Sequence, residues 1–135
     1  MRLVFDTNVL IAAFLSRGHC HELLEHAARN HDLLTSEFIL REFQEKLVGK
    51  LRVEARLVDA AVELQRSRMG SVEPEPLAGP VARDPDDDWI LATAAAAEAD
   101  CLITGDSDLL DLGDYAGIPI LSPGSFWEFE AGFES

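Results

Sequence analysis

No lysine or arginine follows Arg83, although residues 84–135 hold thirteen aspartates and glutamates. That absence excludes a conventional basic nucleic-acid-binding face in this part of the chain. All eleven basic residues lie in 1–83, where they nearly balance the acids, so the net charge of −14 belongs to the second part. Such a half is either a solvated acidic face or a surface for a cation or a basic partner. A polyanion could approach it only with a cation between them. Cysteine is scarce: Cys20 and Cys101 stand far apart in apolar surroundings and read as two reduced core thiols rather than a disulfide. No apolar run is long enough to span a bilayer, and the N-terminus has no signal-peptide layout, so a cytoplasmic protein without membrane contact is expected. Repeats, low-complexity tracts and linkers are also missing. The 135 residues, 47% hydrophobic, therefore read as a single globular domain over 1–135 with one core.

Short apolar runs alternate with helical periodicity. "RLVFD" (2–6) reads as a buried strand, followed by a helix in "TNVLIAAFLS" that Gly18 stops. Helical spacing recurs in 21–30, strand character in "DLLT" (32–35), and Ser36 can cap a helix through "EFILREFQEKLV". A further amphipathic helix is expected over 54–69. Residues 72–85 form a proline-rich loop, with a brief edge strand at its start. Next come a helix over 88–99, strands over 101–105 and 117–121, and a Ser-Pro helix start at 122–123. This alternation predicts an α/β fold, a three-layer α/β/α sandwich around a mainly parallel sheet.

In open parallel sheets ligands sit beyond the carboxyl ends of the strands. Asp6 ends the first strand, and Asp106 and Asp108 follow a later one, "LITG". If those strands are parallel neighbours, the three acids share one sheet edge. "RDPDDDWIL" adds Asp84, Asp86, Asp87 and Asp88, where one helix cap needs only one aspartate. Asp87 precedes Ile90, Leu91 and Ala94 by three, four and seven residues, which puts it on the buried side of its helix. Glu42 borders the apolar stripe of Phe38 and Ile39, where it is either part of the same group or an ordinary i,i+4 partner of Lys46. Carboxylates crowded on one edge repel unless a cation holds them. Oxygen ligands without a Cys/His set suit Mg²⁺ or Mn²⁺, ions that can activate water against a phosphodiester.

Four stretches in this order, "VFDTNVLIAAFL", "SEFILREFQEKL", "RDPDDDWILATA" and "CLITGDSDLL", give the chain a resemblance along its whole length. It resembles the PIN-domain ribonucleases, especially the bacterial toxin-like branch encoded beside an antitoxin. The resemblance implies Asp6, Glu42 and Asp87 as the first three family acids and Asp106 as the fourth, with Asp108 a candidate for the same duty. Asn8 matches the family's polar residue beside the first acid. Thr104 would orient a water or an acid, and Asp84 would act in the outer sphere. The implied activity is Mg²⁺- or Mn²⁺-dependent hydrolysis of single-stranded RNA; the implied partners are an antitoxin protein and a second copy in a homodimer.

Arg41, Lys46 and Lys50 begin a helical arm whose cations either hold RNA phosphates or belong to a mixed, solvated surface. The aromatic residues of "SFWEFEAGF" either stack bases or pack on the sheet or a second subunit. His19, His21, His26 and His31 read as decoration of a surface helix, since their spacing is a poor zinc pattern. A signalling receiver domain would need a lysine after a late strand, and a haloacid-dehalogenase-type phosphatase an aspartate where Asn8 stands. The alternative that keeps the motifs is a non-catalytic PIN-like RNA- or protein-binding module.

Overall fold

Apolar runs bounded by polar stops build a six-stranded sheet in the computed structural model, which describes residues 1–133. The strands are β1 (Arg2–Phe5), β2 (Asp32–Thr35), β3 (Gly70–Ser71), β4 (Cys101–Ile103), β5 (Asp114–Tyr115) and β6 (Ile118–Leu121), in the order β3-β2-β1-β4-β6-β5. Every pairing is parallel except the β5–β6 hairpin. β1 and β4 lie at the centre, and their apolar side chains from Leu3 to Phe5 and Cys101 to Ile103 are buried, as strands covered on both faces require. Burial pushes the Cys101 thiol up to about 12, and Cys20 and Cys101 are both free.

The helices are α1 (Thr7–Leu15), α2 (His19–Asn30), α3 (Glu37–Glu45), α4 (Ala55–Arg68), α5 (Pro85–Ala96), α6 (Ser107–Leu112) and α7 (Pro123–Phe133). α1, α2, α3, α4 and α7 touch one another in series, whereas α5 lies against β1 and α6 against β6. Right-handed crossovers put these two sets on opposite faces of the sheet, giving the three layers expected. One connected core runs through both faces, with Phe43, Leu10 and Leu23 fully buried on one side and Ile90, Leu91 and Leu109 on the other. Each such side chain contributes roughly 1.5–3 kcal/mol by leaving water. No helix among the described residues is long and apolar enough to cross a membrane.

Local differences from the sequence reading have physical causes. α5 begins at Pro85, three residues before the expected start, because Asp84 caps it by accepting from the Asp86 N–H at 2.9 Å and proline suits the first turn. α3 continues into a π-helical turn, Lys46–Lys50, before the chain reverses at Arg52, whose φ is 57°. The edge strand falls at Gly70–Ser71, two residues ahead of the proline-rich stretch. The histidines depart most from expectation. His31 follows α2 with a side chain only 3% exposed, and it and His26 both donate to Glu130 of α7. Burial opposes ionisation of Glu130, but the hydrogen bonds from His31 and His26 outweigh it and hold the carboxyl below its ordinary range. Phe126 is fully buried in the same contact, so α7 packs on the domain rather than standing free.

Candidate active site

The strand order reverses between β1 and β4: from β1 the chain moves to β2 and β3 on one side, then returns to β4 and β6 on the other. The crevice at the carboxyl ends of these two strands is the ligand position of such sheets. β1 pairs with β4 so that Phe5 faces Ile103, which places Asp6 beside Thr104 just past the sheet edge. The Asp6 N–H donates to the Ile103 carbonyl at 2.9 Å. Asp6 occupies the N-cap position of α1, yet its carboxylate makes no capping bond. Instead Oδ2 accepts from Thr104 Oγ1 at 2.6 Å. At 3% exposure this acid is held for another purpose than starting a helix. Burial raises its pKa and Asp106 raises it further, against the pull of Thr104, Lys46 and the Thr7 N–H.

The other acids arrive on three helices. Asp106 caps α6 by accepting from the Asp108 and Leu109 N–H groups, and its own N–H donates to Thr104 Oγ1 at 3.0 Å. Thr104 therefore links Asp6 to Asp106. Glu42 projects from α3, where burial raises its pKa and the charges of Asp86 and Asp6 add to that, while Thr7 and Lys46 oppose it. Asp87 comes from the first turn of α5. Desolvation, followed by the charges of Asp106, Asp6, Asp84 and Glu42, pushes it up to about 7. Asp6, Glu42, Asp87 and Asp106 thus share one electrostatic neighbourhood, fed by β1, α3, α5 and the β4–α6 turn.

The remaining sequence candidates occupy distinct places. Asp84 caps α5 and faces Asp87, whereas Asp88 turns away to accept from the Val81 and Ala82 N–H groups. Asp108 stands on the first turn of α6, half-buried. Asn8 is exposed, and its Oδ1 accepts from Lys46 Nζ at 3.3 Å, while the same ammonium lies 3.8 Å from Glu42 Oε2. Lys46 is therefore at once the i,i+4 partner of Glu42 and a cation at the rim of the crevice. Arg41 is exposed one turn earlier on α3, and Lys50 is exposed at the end of the π-helical turn. Further along the arm Arg66 is paired with Glu37 and Arg68 with Glu25.

Two features escaped the sequence reading. Thr7, between Asp6 and Asn8, is fully buried, and its hydroxyl lies beside Glu42 and lowers that acid's pKa without making a well-formed hydrogen bond. Its position next to Asp6 was the available signal. Below the acids, Ser36 Oγ and Thr93 Oγ1 hydrogen-bond at 2.9 Å and tie the start of α3 to α5, with Phe38 and Trp89 stacked nearby at 6.1 Å. Contacts between two helices that are far apart in sequence leave no local pattern.

Every donor in the cluster is a hard oxygen, and Asp87 is pushed up to about 7 first by desolvation and then by the negative charges around it. A divalent cation would offset the repulsion, and the buried Thr7 hydroxyl adds a further hard oxygen beside Glu42. The residues fit Mg²⁺ or Mn²⁺, which keep much of their water and take few protein carboxylates. No three of these acids bring oxygens within 4.8 Å of one another, so the cluster is an open one.

A profile of the PIN-domain family matches residues 2–108. No curated protein sequence gives a match. Among solved structures, the chain is similar to VapBC2 from Rickettsia felis, bound to a DNA fragment from their promoter, at 16% identity and a TM-score of 0.65, covering 90% of this chain and 98% of that one. It is similar to VapBC-1 from nontypeable Haemophilus influenzae at 18% identity and a TM-score of 0.65, covering 92% and 99%. FitAcB from Neisseria gonorrhoeae aligns at 17% identity with a TM-score of 0.56, covering 90% and 98%. At these identities the structural likeness speaks for the fold.

Proposed function

Since the chain belongs to the PIN-domain family, a family of nucleases, we propose that it is a metal-dependent endoribonuclease that hydrolyses single-stranded RNA and forms the toxin half of a toxin–antitoxin pair. The observation that carries the reading is the meeting of Asp6, Glu42, Asp87 and Asp106 at the sheet switch point, with Asp87 raised to about 7 by desolvation and by these neighbours. Asp6, Asp87 and Asp106, with Asp108 beside them, would hold Mg²⁺ or Mn²⁺. When bound, the cation supplies charge neutralisation and a water of lowered pKa for attack on the phosphodiester.

The chain's own residues supply the rest. Thr104 occupies one oxygen of Asp6 and the backbone N–H of Asp106, which fixes both acids before any ligand arrives. Glu42, half-buried beside the crevice and outside the ligand set, is the acid left to accept the attacking water's proton. Asp84 adds negative charge behind Asp87, which favours a cation there. Lys46, held by Asn8, sits where a scissile or flanking phosphate enters, with Arg41 on α3 and Lys50 at the end of the π-helical turn as further exposed cations for the strand. A partly exposed cation at the rim of a carboxylate crevice would let RNA approach an otherwise repulsive half of the molecule.

The toxin role draws on the four sequence motifs and on the fold shared with the VapBC and FitAcB structures. It carries with it an antitoxin that covers the crevice, a homodimeric state and a cytoplasmic setting. The test is cleavage of end-labelled single-stranded RNA, and of the same sequence as DNA, with Mg²⁺, with Mn²⁺ and with EDTA. RNA cutting that needs metal supports the proposal. Inert wild type across several RNAs, with RNA still bound, would favour the non-catalytic binding module.

A further inference from the structure

A second convergent donor set lies at the opposite end of the sheet from the acids. His26 Nε2 and His31 Nε2 sit 2.7 and 2.5 Å from the same oxygen, Glu130 Oε2. Among the described residues, this is the one group of three His, Cys, Asp or Glu side chains whose ligand atoms all lie within 4.8 Å of one another. His31 immediately precedes β2, whereas Asp6 immediately follows β1, and the two strands run parallel in register. A four-residue strand between them separates the two clusters by on the order of 13 Å. The two clusters therefore share no ligand.

We propose that His26, His31 and Glu130 form a transition-metal site, of the Zn²⁺, Co²⁺ or Ni²⁺ class, that clamps α7 to α2. Two imidazole nitrogens and one carboxylate oxygen form a borderline donor set that selects these ions over Mg²⁺ or Ca²⁺. A tetrahedral ion at about 2.0–2.1 Å from each donor would set those donors about 3.3 Å apart. The observed 2.5 and 2.7 Å separations need only a small side-chain opening to reach that. The site has an inner wall and an outer door: the His31 and Glu130 side chains are nearly enclosed, while His26 is 28% exposed. The open side leaves a fourth position for water.

The proton balance is simple. Nδ1 of His26 faces the Asn30 amide nitrogen at 3.3 Å, and Nδ1 of His31 faces the Met1 amine at 3.2 Å. In the metal-free state each ring therefore carries its proton on Nε2, donated to Glu130. On loading, each neutral ring moves that proton to Nδ1, and the metal takes the place of the two N–H···O bonds. The Asn30 amide then turns its oxygen to His26 Nδ1–H, and His31 Nδ1–H goes to water as the Met1 amine turns aside.

Trp127 provides an internal reporter, its ring 4.7 Å from that of His26. The experiment uses the full chain, freed of any affinity tag, in a Trp89→Phe background so that Trp127 is the sole indole. Co²⁺ is titrated while fluorescence and the visible absorption are recorded, and thermal melts are run with and without Zn²⁺. The expected result is saturable quenching at one equivalent, intense tetrahedral cobalt bands and a Zn²⁺-dependent rise in Tm. His26→Gln and Glu130→Gln should each weaken cobalt binding by at least the roughly 10–100-fold that loss of a mere supporting partner costs. His26 is partly exposed, so its variant stays folded even where changes at Glu130 loosen α7. With excess Mg²⁺ present to fill the acid cluster, Asp6→Asn should leave the Trp127 quenching and the tetrahedral bands unchanged. Quenching that does not saturate with millimolar cobalt, or equal affinity in wild type and both glutamine variants, would overturn the assignment and leave the trio as a hydrogen-bonded latch.

Discussion

Replacing Asp87 with asparagine should stabilise the metal-free protein at and above neutral pH, even though the change removes a side chain assigned to the active site. Asp87 is raised from 3.8 to about 7 by desolvation and by Asp106, Asp6, Asp84 and Glu42. A carboxyl whose folded pKa lies above its unfolded value favours folding fully below pH 3.8, and that contribution disappears as the pH rises to about 7. Taken at full weight, the interval corresponds to about 4 kcal/mol. Asp87 is only half-buried, and solvent screening reduces the figure to about 1–2 kcal/mol. The neutral amide escapes the repulsion at every pH. In EDTA, Asp87→Asn should therefore match wild type at pH 4 and exceed it above pH 7 by about 1–2 kcal/mol, or about 3–8 °C in Tm. Mg²⁺ or Mn²⁺ should close the gap by stabilising wild type more than the variant. Urea or thermal unfolding across the pH range, with and without metal, measures all of this. A variant less stable than wild type at pH 8 in EDTA, or a difference that ignores pH, would refute the crowded-carboxylate reasoning.

Thr104→Val removes the donor to buried Asp6 and the acceptor for the Asp106 N–H, so it should cost about 1–3 kcal/mol by urea unfolding and weaken Mn²⁺ binding. Lys46→Gln should weaken single-stranded RNA binding and make its logarithmic salt dependence shallower by roughly 0.7, read by fluorescence anisotropy over a salt series. Phe126→Ala empties a fully buried site beneath α7 and should cost about 3–5 kcal/mol, with hydrogen exchange rising first in that helix.

The apolar runs at 2–5, 32–35, 101–103 and 118–121 were legible because each is short, strongly apolar and bounded by a polar residue or glycine. Asp6 was legible for the converse reason: a carboxylate between two apolar segments has no local justification. Short elements were not. α6 spans six residues and β5 only two, too few for any periodicity to register, and β3 is a Gly-Ser pair whose pairing comes from β2. In 84–88 the sequence posed the choice between cap and site without resolving it. The fold divides the duties: Asp84 caps, Asp88 binds the preceding loop and Asp87 joins the other acids. The histidines misled because Glu130, which gathers His26 and His31, lies about a hundred residues away, and spacing within one helix carries no trace of it.

The central claim is that the acids at the β1–β4 crevice carry metal-dependent RNA hydrolysis. Its most direct test is single-turnover cleavage of a labelled single-stranded RNA in Mn²⁺ by wild type and Asp6→Asn, with unfolding curves to show that both are folded. The account predicts that the folded variant loses at least about a hundredfold in rate, as expected when a group that organises charge in the transition state is removed, and that EDTA abolishes cutting by wild type. A folded Asp6→Asn protein that cuts at the wild-type rate would contradict it.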